Sequence, residues 1–109
     1  MEAVSESFHV TSESSDGAQR IIASGELDIA TVPVLEAAFD AALASAAGRI
    51  VVDLGSITFI DSTGLRLLIK MTETCPDGKL GIRSTAIVDR LLQVTGLLDQ
   101  LPLIGEDAA

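Results

Sequence analysis

The run from Ile50 to Leu54 constrains the fold more than any other part of this sequence. It reads Ile-Val-Val-Asp-Leu, with β-branched and apolar residues on consecutive positions. A strand with one face in water would alternate apolar and polar residues, so this pattern predicts a central strand covered on both faces. We therefore expect it to lie in the interior of the protein's sheet.

The N-terminal quarter of the chain has the pattern of a β-hairpin. Phe8 to Thr11 alternates apolar and polar residues, and a polar stretch with Asp16 and Gly17 leads into Arg20 to Ser24. The Asp-Gly dipeptide tolerates the positive φ angles of a tight turn. We therefore predict an antiparallel pair with its turn near Asp16 and Gly17.

A first helix is predicted after the segment Gly25-Glu26-Leu27-Asp28, which we interpret as a loop. We expect Thr31 to cap this helix, Pro33 to occupy its first turn, and Gly48 to end it in a left-handed conformation. Its apolar residues recur at helical spacing: Val32, Leu35, Phe39, Leu43 and Ala46.

A second helix is predicted beyond the central strand. Gly55 and Ser56 are expected to loosen the chain before a second apolar patch, Ile57 to Ile60. The helix opens at Asp61-Ser62-Thr63-Gly64 and ends before Cys75-Pro76, because proline disfavours helix in the residue before it. One face of this helix carries Leu65, Leu68, Ile69 and Thr72.

The last third of the chain predicts one more strand and one more helix. Asp77-Gly78 turns the chain into a short strand, Lys79 to Arg83. The helix is expected to be capped by Ser84 or Thr85 and to end at Gly96. Its apolar face is expected to carry Ile87, Leu91 and Val94. The tail from Leu97 to Ile104 is expected to be a packed segment or a short edge strand.

These elements, in the order ββαβαβα, predict a mixed β-sheet of four to five strands with α-helices packed against it. The 109 residues, 48% of them hydrophobic, suffice for a single domain spanning residues 1–109. A formal net charge of −9 would repel a phosphate backbone and argues against nucleic acid as a partner. No apolar run approaches the ~20 residues that cross a bilayer, and no secretory leader is visible, so we expect a cytoplasmic protein.

Neither a cofactor nor catalysis is indicated. Cys75 and His9 are the only residues of their types, too few for a structural zinc site, and we expect Cys75 to be a buried or half-buried free thiol. Phosphate-binding glycine motifs are absent from the sequence. The serine-hydrolase elbow Gly-x-Ser-x-Gly fails around Ser62 because Ile60 occupies the first glycine position. We therefore expect a protein that is not an enzyme.

Two hydroxyl groups, those of Ser62 and Thr63, are predicted to lie at the start of the second helix. Free backbone N–H groups and the helix dipole favour negative charge there, so the position would suit a phosphate group. The simpler interpretation is that one of the two hydroxyls caps the helix. Gly64, which lacks a side chain, is expected to let a partner approach closely.

The chain resembles the STAS family of anti-sigma factor antagonists in segments that span nearly its whole length. The segments are Gly25-Glu26-Leu27-Asp28, Val51-Val52-Asp53-Leu54, Phe59-Ile60-Asp61-Ser62-Thr63-Gly64-Leu65, Val94-Thr95-Gly96-Leu97 and Leu101-Pro102-Leu103-Ile104. The resemblance implies the STAS fold, with Ser62 as the phosphate acceptor of an ATP-using anti-sigma factor kinase and Thr63 as the second candidate. It also implies that the unphosphorylated form binds the anti-sigma factor and so releases a sigma factor, and that a phosphatase acting on phospho-Ser62 restores this form.

The same resemblance implies a partner-binding surface. Its residues would be Glu26, Leu27, Asp28, Asp61, Ser62, Thr63, Gly64 and Arg66. Residues 26–28 are equally consistent with a polar turn around one buried leucine, and Arg66 with a solvated side chain. The alternative function is a STAS scaffold or sensor subunit, or the soluble partner of a membrane transporter, without phosphorylation. We expect a monomer, because each predicted apolar face has an internal place to pack.

Overall fold

The computed structural model of the protein describes residues 4–5, 8–45, 47–75 and 78–104. Its strands are β1 (Val4–Ser5), β2 (Phe8–Ser15), β3 (Ala18–Leu27), β4 (Arg49–Ile60), β5 (Leu80–Arg83) and β6 (Leu103–Ile104). Its helices are α1 (Val32–Ala44), α2 (Ser62–Thr74) and α3 (Ala86–Thr95), and a 3-10 turn, Leu98–Gln100, precedes β6.

All these strands form one sheet, in the order of the sequence. The pairs β1–β2 and β2–β3 are antiparallel, whereas β3, β4, β5 and β6 are parallel to one another. The predicted mixed α/β sheet is confirmed. The two-residue strands β1 and β6 extend it at its edges, and β6 confirms the short edge strand predicted for the tail.

Strand β4 lies in the middle of the sheet, as its apolar run predicts. Ile50, Val52 and Leu54 have no exposed surface and belong to one core cluster with Leu35 of α1 and Leu68 of α2. Full burial of a side chain of this size stabilises the fold by roughly 1.5–3 kcal/mol. The packing of α1 and α2 on the sheet therefore depends strongly on this strand.

A carboxylate is buried within the same strand. Asp53 is only 7% exposed. Arg83 Nη1, from β5, lies 3.2 and 3.0 Å from its two carboxylate oxygens, and Arg20 Nη2, from β3, lies 3.4 Å from Oδ2. A buried charge is tolerated when it is paired and hydrogen-bonded, and the two neighbouring strands supply both arginines. The sequence pattern did not reveal this network.

The predicted β2–β3 hairpin is confirmed, and its strands are longer than expected. Asp16 and Gly17 both adopt positive φ angles, of 51° and 79°, as a two-residue turn requires. Ser15 pairs with Ala18 immediately beside the turn.

Two predicted interruptions are wrong, because the strands continue through them. Residues 25–27 belong to β3 rather than to a loop, and Gly55 and Ser56 belong to β4. The pairing of the two strands shifts register around these positions, and Gly25 adopts a φ of 101°. The glycines therefore mark β-bulges, which bend a strand without ending it.

The ends of α1 differ from the prediction. Thr31 occupies the cap position, but its side chain makes no capping hydrogen bond and is 4% exposed. Pro33 lies in the first turn, as expected. The helix ends at Ala44, with Ser45 extended, so Gly48 does not end it in a left-handed conformation.

Helix α2 has the predicted bounds and ends before Cys75. The Cys75 thiol is free and buried, as expected, and burial raises its pKa. A thiol with a raised pKa is a poor nucleophile at neutral pH.

Helix α3 has the predicted ends but buries a different face. Thr85 accepts a hydrogen bond from Val88 N, and Gly96 has a φ of 76°. The buried residues are Val88 and Leu92, whereas Ile87 is 46% and Val94 78% exposed, so the predicted apolar face is wrong for these two. Helical spacing identifies a period, but neighbouring stripes of equal hydropathy can compete for the core.

Three predicted residues lie outside the described residues: Ala46 in the first helix, Pro76 after the second, and Asp77 in the turn before β5. In the part of the chain that the structure describes, no helix has the length and apolar character needed to span a membrane.

Candidate functional site

The junction between β4 and α2 contains the predicted acceptor serine. Asp61 is the residue that caps the helix, in an extended conformation with φ −111° and ψ −173°. Its Oδ1 accepts hydrogen bonds from Thr63 N at 2.9 Å and Gly64 N at 3.0 Å. The interpretation in which Ser62 or Thr63 caps the helix is therefore wrong, since a carboxylate performs that function.

Ser62, the first residue of α2, is exposed, whereas Thr63 is half-buried. Among the described residues, none makes a hydrogen bond to the Ser62 hydroxyl. Within that part of the chain, this oxygen is open to solvent and has no side-chain base bonded to it.

The expected phosphate site formed by free N–H groups is only partly present. Two of the first N–H groups of α2, those of Thr63 and Gly64, already donate to Asp61. A phosphoryl group on Ser62 would thus have a carboxylate beside it and fewer free donors than the sequence suggested. The helix dipole still favours negative charge there, by about 0.3–1 kcal/mol at an exposed site.

Gly64 is buried, and its missing side chain has an internal purpose. A Cβ atom built there would lie 2.9 Å from Ile60 Cγ1 and 3.0 Å from both Leu27 Cγ and Leu27 O. The residue lets α2 pack directly on the ends of β3 and β4. The sequence predicted that the missing side chain of Gly64 would let a partner approach. In the structure, the missing side chain instead allows this interior packing.

The end of β3 forms the neighbouring part of the site. Leu27 has no exposed surface, and its carbonyl oxygen accepts a hydrogen bond from Asp61 N at 3.3 Å. Leu27 is thus the one buried leucine expected if residues 26–28 form a polar turn. Its side chain offers no surface to a partner. Glu26 is exposed and Asp28 is half-buried.

A compact turn connects β3 to α1. The Thr31 hydroxyl donates to Glu26 O at 2.8 Å and accepts from Asp28 N at 2.9 Å. Asp28 Oδ1 accepts from Ala30 N at 3.0 Å and from Thr31 N at 3.1 Å. These reciprocal bonds use the buried hydroxyl and the carboxylate to fix the turn.

Two exposed apolar residues lie at the carboxyl ends of β3 and β4, and sequence reasoning assigned neither to the site. Ile29, in the β3–α1 turn, is 75% exposed, and Phe59 is 48% exposed and pairs with Glu26. The signal for Ile29 was its position between Asp28 and Ala30, outside both the strand pattern and the helix pattern. Phe59 was hidden within an apolar run that resembles a fully buried strand end.

Together these groups define the acceptor surface, by which we mean the exposed side chains Glu26, Ile29, Phe59, Ser62 and Arg66. Arg66 is exposed on α2, four residues after Ser62. The surface combines one exposed hydroxyl with apolar and charged groups, and such a mixture is typical of protein interfaces.

The comparisons with known proteins agree with this architecture. The family model STAS_2, described as Mlab, STAS domain, matches residues 10–105. An anti-sigma factor antagonist from Mycobacterium paratuberculosis has a TM-score of 0.81 and 31% sequence identity, covering 89% of this chain and 85% of that one. No curated protein sequence matches this chain at a significant level.

Two structures of SpoIIAA share the fold at lower identity. The anti-sigma factor antagonist SpoIIAA in its unphosphorylated form has a TM-score of 0.67 and 22% identity, over 88% of this chain and 86% of that one. The Bacillus cell fate determinant SpoIIAA in the phosphorylated form has a TM-score of 0.65 and 20% identity, over 88% and 89%. The family model covers most of the chain and the mycobacterial antagonist is similar in both sequence and fold, so this protein is a member of the STAS domain family.

Proposed function

We propose that this protein is an anti-sigma factor antagonist whose binding to its partner is switched off by phosphorylation of Ser62. The partner would be an anti-sigma factor of the ATP-binding serine kinase type, and its capture would release a sigma factor. The observation that carries the proposal is the exposed Ser62 hydroxyl beside Asp61, which supplies the cap in its place. The similarity to the mycobacterial antagonist supports the same role.

In this role the protein is a substrate and not an enzyme. The kinase would transfer the γ-phosphoryl group of ATP to Ser62 Oγ, ADP would leave, and the hydroxyl proton would pass to a base of the kinase. A phosphatase would later hydrolyse the phosphoserine. The protein would act as a monomer in the cytoplasm, where sigma factors function.

Electrostatics explains why phosphorylation would weaken binding. A phosphoserine carries about −1.5 to −2 charges at neutral pH, and here it would lie next to Asp61 on a chain of net charge −9. In the free protein water would solvate the group. In the complex the partner would have to desolvate it or supply a cation, and unmatched charge at an interface costs several kcal/mol.

The fold would tolerate the same group. The Ser62 side chain is exposed, and within the described residues nothing depends on its hydroxyl for a hydrogen bond. One protein of this fold, SpoIIAA, has been solved in both an unphosphorylated and a phosphorylated form. This supports a switch that acts on binding and leaves folding intact.

The test compares Ser62→Asp with Ser12→Asp, which adds the same charge at an exposed serine of β2. We expect Ser62→Asp to weaken binding to the anti-sigma factor by at least about tenfold, or about 1.4 kcal/mol. Ser12→Asp should bind like the wild type. Both variants should keep the wild-type unfolding free energy within about 0.5 kcal/mol. Equal affinities of Ser62→Asp and wild type, measured by isothermal titration calorimetry, would contradict the proposal.

Phosphorylation itself is tested by incubating the protein with each anti-sigma factor kinase of the host and ATP. Mass spectrometry should locate the phosphate on Ser62 and find none on Ser62→Ala. Phosphate found on Thr63 alone would show that Thr63, and not Ser62, is the phosphorylated residue. A pull-down that captures a transporter ATPase and no kinase would instead support the scaffold role or the role of transporter partner.

A further inference from the structure

Ser62, Arg66 and Lys70 lie at intervals of four residues along α2. Residues four apart in a helix are neighbours on one face, with Cβ atoms about 5–6 Å apart. The acceptor hydroxyl therefore begins a stripe in which the next two side chains are cations.

The second cation of the stripe is already engaged. Lys70 Nζ forms a salt bridge with the Glu36 carboxylate of α1. The hydrogen bond to Glu36 and the negative charge of that residue raise the pKa of Lys70. Lys70 is thus fixed toward α1 and lies two helical turns from Ser62.

Arg66, the first cation of the stripe, differs from Lys70 in its surroundings. It is exposed, and among the described residues it has no carboxylate within ion-pair distance. Asp61 lies five residues earlier, off this stripe, and its Oδ1 is occupied by the N–H groups of Thr63 and Gly64. Arg66 is therefore the cation that α2 presents closest to the Ser62 hydroxyl.

We propose that Arg66 is the intramolecular partner of the phosphoryl group on Ser62, an inference that rests on the phosphorylation in the proposed function. An acidic residue four positions before a basic one is the favourable orientation of such a pair in a helix. The planar guanidinium group also matches phosphate geometry and can form two parallel hydrogen bonds to it.

The pair gives phosphorylation two effects on the acceptor surface. It adds a dianion at Ser62, and it withdraws the Arg66 cation from any acidic group of the partner. Before phosphorylation Arg66 is available to the partner, whereas afterwards it is held against the phosphoserine. Phosphorylation would thus add a repulsive charge to the interface and remove the attractive charge of Arg66 in the same step.

The experiment places phosphoserine at position 62 during synthesis, by genetic encoding, so that no kinase is needed. The second pKa of the phosphate, ordinarily about 6, is then followed by 31P NMR. A neighbouring cation stabilises the dianion, so we expect this pKa to be lower than in Arg66→Gln by about 0.3 units or more, about a twofold change in proton affinity. Arg90→Gln, which removes an exposed arginine of α3, is the matched control and should leave the pKa unchanged.

Equal phosphate pKa values in the parent protein and Arg66→Gln would overturn the inference, as would an equal shift in Arg90→Gln. Arg66→Lys should keep part of the shift, and 1 M salt should reduce it. The unphosphorylated Arg66→Gln protein should unfold like the wild type, which separates an electrostatic role from a structural one. Since the phosphoserine is built in, the result is independent of any partner, and a Ser62→Asp variant that binds normally would refute the proposed function alone.

Discussion

The β3–α1 and β4–α2 junctions lie side by side at the carboxyl ends of two neighbouring parallel strands, and they use hydroxyl groups in opposite ways. At β3–α1 the Thr31 hydroxyl is buried and bonded to Glu26 O and Asp28 N. At β4–α2 the Ser62 hydroxyl is exposed, and Asp61 caps the helix. A hydroxyl that maintains a turn is inaccessible to a modifying enzyme, whereas one relieved of that role by a carboxylate is accessible. Substitutions at three positions test this contrast.

The largest effect is expected at the buried hydroxyl. Thr31→Val preserves the shape of the side chain but leaves Asp28 N and Glu26 O without their partner, which should lower the free energy of unfolding by about 1–3 kcal/mol. Urea denaturation followed by circular dichroism measures this change. Thr31→Ser keeps the hydroxyl and should recover most of the loss. A Thr31→Val protein as stable as the wild type would show that the turn does not depend on this oxygen.

An intermediate effect is expected at the carboxylate cap. Asp61→Ala removes the acceptor for Thr63 N and Gly64 N and should lower the free energy of unfolding by about 1 kcal/mol. Asp61→Asn retains a capping oxygen and should be close to the wild type in the same assay. If the alanine and asparagine variants were equally destabilised, the charge of Asp61 rather than its hydrogen bonds would support the helix.

The smallest effect is expected at the Ser62 hydroxyl. Ser62→Ala should change the free energy of unfolding by less than about 0.5 kcal/mol, because the side chain is exposed and bonded to no described residue. The difference between this variant and Thr31→Val measures the contrast between the two junctions directly. A loss at Ser62 equal to that at Thr31 would remove the contrast.

The sequence predicted the elements that depend on local chemistry. Short patterns with a local physical cause predicted the buried run at Ile50, the Asp16-Gly17 turn and the helix end at Gly96. They also narrowed the cap of α3 to Ser84 or Thr85, of which Thr85 is the cap. The location of Ser62 at a helix start followed in the same way. These features need only a few neighbouring residues.

What the sequence did not predict depends on residues that are distant along the chain. The bulges near Gly25 and Gly55 arise from the register of β3 against β4. The Thr31 side chain is buried because its hydroxyl bonds to the backbone of Glu26. The pairing of Asp53 with Arg20 and Arg83 joins three strands. Local patterns carry no information on such partners, and they cannot decide which of two apolar stripes on a helix faces the core.

The packing of Gly64 beneath Leu27 has a consequence for how this scaffold can diversify. Gly64, two residues after Ser62, fits against Ile60 and Leu27, so interior packing fixes the start of α2, while Glu26 and Ile29 are exposed. Exposed side chains such as these can thus be substituted without displacing the first turn of the helix. Under the proposed function, this fold would keep the position of its phosphorylated serine while the side chains that select the partner vary.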